Sequence, residues 1–210
     1  MLVKTFGSSV YGVDAVTITV EVSVDPKSAK YYMVGLPDNA VKESWQRIET
    51  ALKEVGYRMP RYKIVINLAP ADIKKEGSAY DLPMAIGILI ASGQIEDKID
   101  VSKYIIMGEL SLDGSIQPIR GALPISIQAR KENFSGFILP KSSEREAGIV
   151  DKLDVYGVNT LRNVIDIIEG KGNIKPVFVD TRAEFEENMK SIKYDFTDVN
   201  GQENIKRAME

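Results

Sequence analysis

Cysteine and histidine are both missing from this sequence of 210 residues. Their absence removes disulfides, thiolate nucleophiles, imidazole acid–base chemistry and nearly all zinc chemistry, leaving carboxylates, lysines, hydroxyls and backbone groups. A long apolar run is missing too. No stretch approaches the ~20 apolar residues of a membrane span, and the N-terminus lacks the basic flank, apolar centre and cleavage site of a secretory leader. A cytoplasmic protein is expected. Neither charge dominates: 27 Lys and Arg stand against 30 Asp and Glu, a net charge of -3. No global attraction to nucleic acid follows, although a local basic patch would be hidden in that sum. The pattern GxxxxGK(S/T) is absent as well, so nothing offers the nested N–H groups, lysine and magnesium-holding hydroxyl that cradle a triphosphate. This chain alone is not expected to hydrolyse ATP.

What is present is ordinary for a globular protein, with 44% hydrophobic and 27% charged residues, enough for one core. Val16, Ile18, Val20, Val22 and Val24 alternate with polar residues, the period of a half-buried strand. With Val3–Tyr11 before it and a turn at Gly12 to Asp14, the first 25 residues read as an antiparallel hairpin. Tyr31–Val34 reads as a third strand. Asp38 reads as the cap of one helix in which Val41, Trp45, Ile48, Leu52 and Val55 form an apolar stripe ended by Gly56, with Trp45 filling the core. The run Ile64–Leu68 fits a strand covered on both faces. Met84–Ala91 reads as a helix buried all round, ended by Gly93. A strand at Tyr104–Met107, a hairpin at Asp113-Gly114, and then helix and strand in alternation up to Leu161–Glu169 complete an α/β pattern. From Gly170 the pattern weakens, so a compact domain over 1–172 and a linker over 173–194 are expected.

The stretch Lys74–Ala91, KKEGSAYDLPMAIGILIA, concentrates charge, glycine and small polar residues where a buried strand turns into a helix. Asp81, directly before Leu82 and Pro83, reads as the N-cap of that helix. Lys75, Glu76 and Ser78 precede it on a glycine-flanked loop.

Three segments, KKEGSAYDLPMAIGIL at 74–89, GELSLDGSIQPIRGALP at 108–124 and DFTDVNGQENIKRAME at 195–210, together resemble the magnesium-chelatase-like AAA+ ATPases of the ComM/YifB type. In that family a domain of the ribosomal protein S5 domain 2-like, Lon-protease-like fold precedes an ATPase module, and the last segment opens that module. The resemblance implies a mixed sheet with helices, and a truncated start of the ATPase module at 195–210. It also implies ATP and Mg2+ for the full-length protein, assembly into a hexameric ring, and action on DNA in recombination or transformation.

Lon-type proteases use a serine nucleophile and a lysine base. Matching their KDGPSAG-like loop to Lys75-Glu76-Gly77-Ser78-Ala79-Tyr80-Asp81 puts Ala79 at the nucleophile. Matching their PIGGLKEK-like segment to Pro118–Ile125 puts Leu123 at the base. The resemblance therefore implies a lost protease, with Ser78 one residue early and Lys75 a nearby lysine that could in principle serve it as base. Lys75, Glu76, Ser78, Asp81, Glu109 and Arg120 are expected to form a retained network or a contact surface between subunits. Lys42, Arg47, Lys53, Arg58, Arg61 and Lys63 could neutralise phosphates if they share a face. The interleaved Glu43, Glu49 and Glu54 favour a solvated helix face instead. A non-catalytic domain of a DNA-acting ATPase is the expectation, with a residual serine peptidase or a protein-interaction scaffold as rivals.

Overall fold

In the computed structural model, which describes residues 1–26, 28–171, 174–180 and 198–209, alternation in the first 25 residues becomes two long paired strands. β1 (Leu2–Tyr11) and β2 (Asp14–Asp25) are antiparallel from Leu2↔Ser23 to Tyr11↔Asp14. The sheet then grows on both sides. β2 pairs antiparallel with β4 (Lys63–Ala69), and β3 (Lys30–Val34) lies parallel to β4 as an edge. β1 pairs parallel with β5 (Tyr104–Ile106), followed by β8 (Gly136–Pro140) and β9 (Asp154–Val158), all parallel. The order is β3-β4-β2-β1-β5-β8-β9, and β2 alone runs against the rest. A separate hairpin joins β6 (Glu109–Leu110) to β7 (Ile116–Gln117).

The helices are α1 (Asn39–Lys42), α2 (Ser44–Glu54), α3 (Asp81–Ala91), α4 (Ala122–Lys131), α5 (Glu144–Ala147) and α6 (Leu161–Ile168). Every residue of α3 is buried, as its unbroken apolar sequence requires. It lies against the first hairpin: the Thr5 hydroxyl donates to the Pro83 carbonyl at 2.9 Å. A Cβ on Gly87 would come within 2.6 Å of Val22, so glycine permits that approach. Phe6, on the alternate face of β1, meets Phe134 just after α4 at 5.3 Å, so the centre of the sheet is covered on both sides. The result is the α/β mixed-sheet architecture expected of the S5 domain 2-like, Lon-type fold.

Local expectations give way at four places. The helix capped by Asp38 breaks at Glu43 into α1 and α2, and at the break the Ala40 carbonyl accepts a hydrogen bond from Arg47 at 2.8 Å. Trp45 is half-buried rather than central, stacked on Tyr31 at 5.1 Å. β4 is not covered on both faces: Ile64, Ile66 and Leu68 are buried, but Val65 and Asn67 only partly so. Asp81 does not cap α3. Tyr80 holds the cap position with no side-chain capping bond, and the Asp81 carboxylate turns away to a tertiary partner.

Residues 1–178 form one unit, whose last stretch is tied in where the Val177 N–H meets the Val155 carbonyl at 2.7 Å. Of the expected linker over 173–194, residues 173 and 181–194 lie outside the described residues. Residues 179–210 form a second unit, in which α7 (Glu203–Met209) has no buried residue. No helix among the described residues is long and apolar enough to cross a membrane.

Candidate functional site

The segment between β4 and α3 passes Lys74, Lys75 and Glu76 in succession, and neighbouring side chains go to different places. Lys74 and Glu76 line a cavity of about 540 Å3 and pair with each other at 2.6 Å. Lys75 between them is fully buried, its ammonium donating to the carbonyls of Pro70 and, at 2.7 Å, Ile73. Burial lowers its pKa below the usual lysine value, with nearby Asp72 opposing. Such a lysine would suit a serine nucleophile, but this one is committed to loop carbonyls, and the Ser78 hydroxyl has a different partner. The Lys75 N–H and carbonyl stitch the loop to Leu36 and Asp38 at 3.2 and 3.0 Å. The Asp38 carboxylate also accepts the N–H of Gly77, whose positive φ of 82° explains a glycine there.

Ser78 donates its hydroxyl to Oε2 of Glu109, which β6 brings to the same cavity. Arg120 stands exposed on the rim, without an ion pair or side-chain hydrogen bond among the described residues. At the two positions matched to the protease dyad, Ala79 and Leu123 are partly buried and packed on the core. Their backbones are engaged: the Ala79 carbonyl accepts from Gly108 at 2.8 Å, and the Leu123 N–H donates to Glu146 at 2.9 Å. Tyr80 also lines the cavity. It is 2% exposed, its hydroxyl donates to the Ser8 carbonyl at 3.1 Å, and burial pushes its pKa up to about 12.

Of the expected network, Glu76, Ser78, Glu109 and Arg120 therefore share one cavity, while Lys75 and Asp81 do not line it. Asp81 is wholly buried, and Arg47 grips it with both arms, Nε at 2.6 Å and Nη2 at 3.0 Å. The Leu110 N–H adds a third bond at 3.1 Å. Burial raises the carboxyl above its ordinary range, against the pull of Arg47, and the Arg47 guanidinium is in turn pushed up by its bond to Asp81. Arg47 is thus no solvated or phosphate-facing residue but a strut joining α2 to the start of α3 and to β6. Its one sequence signal is its spacing on α2, three residues after Ser44 and four before Ala51, both small residues on a side of the helix that is buried.

The remaining basic residues also part company. Lys63 sits over the Tyr32 ring at 5.7 Å. Lys53, Arg58 and Arg61 line a second cleft of about 650 Å3 together with Tyr57 and Tyr62, with Glu49 as its carboxylate. None of the three cations is in an ion pair among the described residues. The phosphate-loop pattern that would cradle ATP is absent from the sequence. Among the described residues, no group of three or more His, Cys, Asp or Glu is placed to hold a metal ion.

Comparison with known proteins agrees with the resemblance. The chain is 38% identical over 203 residues to Uncharacterized protein YifB of Escherichia coli, and 34% over 199 residues to Competence protein ComM of Haemophilus influenzae. These matches cover 95% and 94% of the chain but 38% of each relative, so the chain spans well under half their length. Lon protease 2 of Bacillus subtilis is 27% identical over 68% of the chain and 26% of its own length. Residues 20–143, more than half of the sequence, match the family described as subunit ChlI of Mg-chelatase, and the chain belongs to that family.

Proposed function

We propose that this chain is the non-catalytic N-terminal domain of a ring-forming AAA+ ATPase of the ComM/YifB type. In this reading it acts on DNA in recombination or transformation, and helps to engage the substrate or assemble the ring. The observation that carries the non-catalytic part is the side-chain chemistry at the two matched positions: a methyl at Ala79, which lines the cavity, and an isobutyl at Leu123, packed on the core, offer neither nucleophile nor base. ATP and Mg2+ then serve the ATPase module of the full-length protein, a hexameric ring, and not this domain.

The second cleft supports DNA engagement. Three unpaired cations beside two tyrosines combine phosphate neutralisation with rings on which bases can stack. The name of the Haemophilus relative links that protein to competence, which suits a DNA substrate here. A residual serine peptidase has one observation in its favour, the Ser78 hydroxyl held by Glu109. A carboxylate is a weak base beside a neutral lysine amine, so that pair is read as structural. Gel shift of single-stranded and branched DNA at two salt concentrations tests the reading. Binding that weakens steeply with salt is expected, while no binding at low salt, by this chain or by a full-length ring with its added avidity, would overturn the DNA role.

A further inference from the structure

The cations of the second cleft and Lys63 are parted by the sheet itself. Ile66 is the register partner of Val22, which packs on Gly87 of α3, so Ile64, Ile66 and Leu68 turn to the helices. Lys63, Val65 and Asn67 turn to the opposite face. β3 repeats the division. Tyr31, paired with Ile64, stacks on Trp45 of α2, whereas Lys30 and Tyr32, paired with Lys63 and Val65, stand on the opposite face. The second cleft lies on the helix side, walled by Glu49 and Lys53 of α2 and by Ser92 and Gln94 just after α3. The way from one face to the other is short, since Arg61 and Tyr62 line the cleft and Lys63 is the next residue. It is also open. β3 is the outermost strand, and among the described residues no backbone hydrogen bond joins its outer side to another segment. The Tyr31 hydroxyl, donating to the Pro60 carbonyl at 3.3 Å, ties this edge strand to the cleft wall.

The chemistry on the two faces matches. Lys30 and Lys63 are direct cross-strand neighbours, a placing of like charges that costs stability, and neither has an ion pair among the described residues. Beside them Asp25 is the register partner of Lys63, while Glu21, further along the face, is held by Lys4 and Asn67. In the cleft Glu49 stands against Lys53, Arg58 and Arg61. Each face therefore carries an excess of positive charge. Each also carries an exposed ring: Tyr62 in the cleft, and Tyr32 beneath the Lys63 ammonium. We propose that one single strand of DNA occupies both faces, its phosphates passing from Lys53, Arg58 and Arg61 round the β3 edge to Lys63 and Lys30, with bases against Tyr62 and Tyr32. The inference rests on the DNA reading of the second cleft and deepens it by naming the form of DNA. A single strand bends freely, whereas duplex, stiff over about 150 bp, meets only one face of the sheet at a time. Unpaired bases are also what exposed rings stack on.

The test is a fluorescence-anisotropy titration of the 210-residue chain with a fluorescein-labelled thymidine oligonucleotide and with a labelled duplex of the same length, each at several salt concentrations. Changing Lys30 and Lys63 together to glutamine should lower the single-strand slope of log affinity against log salt by about 1.4, at about 0.7 per phosphate contact. The duplex slope should stay where it was, because the cleft alone holds duplex. Tyr32→Ala should weaken the single strand about tenfold and the duplex not at all. The urea midpoint of each variant, read alongside, shows that the fold is kept. Equal falls for the two forms of DNA, or a fall for neither, would overturn the wrapped path and leave the cleft as a DNA site. Displacement of the oligonucleotide by polyglutamate as readily as by unlabelled oligonucleotide would overturn it too, and make the band a surface for acidic polypeptides. No binding of either DNA at low salt, by this chain or by a full-length ring, overturns the DNA reading itself, which separates that failure from failure of the path.

Discussion

The two clefts differ little in size, about 540 Å3 beside β1 and about 650 Å3 beside α2, and greatly in how their charges are disposed. Beside β1 the two cations, Lys74 and Arg120, are balanced by two carboxylates, Glu76 paired with Lys74 and Glu109 accepting the Ser78 hydroxyl. Beside α2, three cations stand unpaired with two tyrosines. Volume does not tell these sites apart; the pairing state of the charges does. Arg47 makes the same point in reverse, because it belongs to the basic group by sequence and to neither cleft by position. It is locked on Asp81 beneath the loop that leads to the first cleft.

The largest expected effect comes from that strut. Asp81→Ala leaves Arg47 without its partner and the Leu110 N–H without an acceptor. It should cost about 3 kcal/mol in urea denaturation, in the range for breaking a buried ion pair, and should disturb the first cleft more than the second. A loss below about 1 kcal/mol would show that the pair is not what holds the loop.

Tyr80 supplies a pH test of the same cleft. The folded protein keeps its phenolic proton up to about pH 12, whereas the unfolded chain releases it near the ordinary 10.0. The stability contributed by the buried neutral ring is therefore complete below about pH 10 and lost as pH rises toward 12, by at most about 2–3 kcal/mol. Tyr80→Phe should make the fall in stability between pH 8 and pH 11 shallower than in the parent chain. Equal slopes would mean that Tyr80 titrates as it does in water.

The second cleft is tested by Lys53, Arg58 and Arg61 changed together to alanine. Affinity for single-stranded DNA should drop, and the slope of log affinity against log salt should shrink by about 2, since each single-strand phosphate contact contributes about 0.7. Stability should move by no more than about 0.5 kcal/mol. An unchanged slope would move the DNA contacts elsewhere.

Much of the framework was legible before the structure. The alternation from Val16 to Val24 could only be a half-buried strand, and the unbroken apolar run of α3 could only be a buried helix. What was hidden depends on partners far away in sequence. Asp81 has every local mark of a cap, yet a guanidinium 34 residues earlier outcompetes the helix N–H groups. The run Ile64–Leu68 reads as two-sided only when Asn67 is passed over; Lys63 and Asn67, on the same face as Val65, already mark the side that is half-buried. Ser78, Glu109 and Arg120 stand out in the sequence, but neither their meeting in a cavity nor the separate fate of Lys75 follows from spacing. The place of β1 between β2 and β5 does not follow from the sequence, since strand order in a mixed sheet is set by tertiary pairing.

The most direct measurement is turnover of a fluorogenic peptide by this chain, with Ser78→Ala as the control. With Ala79 and Leu123 at the matched dyad positions and Lys75 bound to backbone carbonyls, no turnover above background is expected, and the two proteins should give identical traces. Cleavage by the parent chain that disappears in Ser78→Ala would contradict the account of a protease-like fold that no longer cuts.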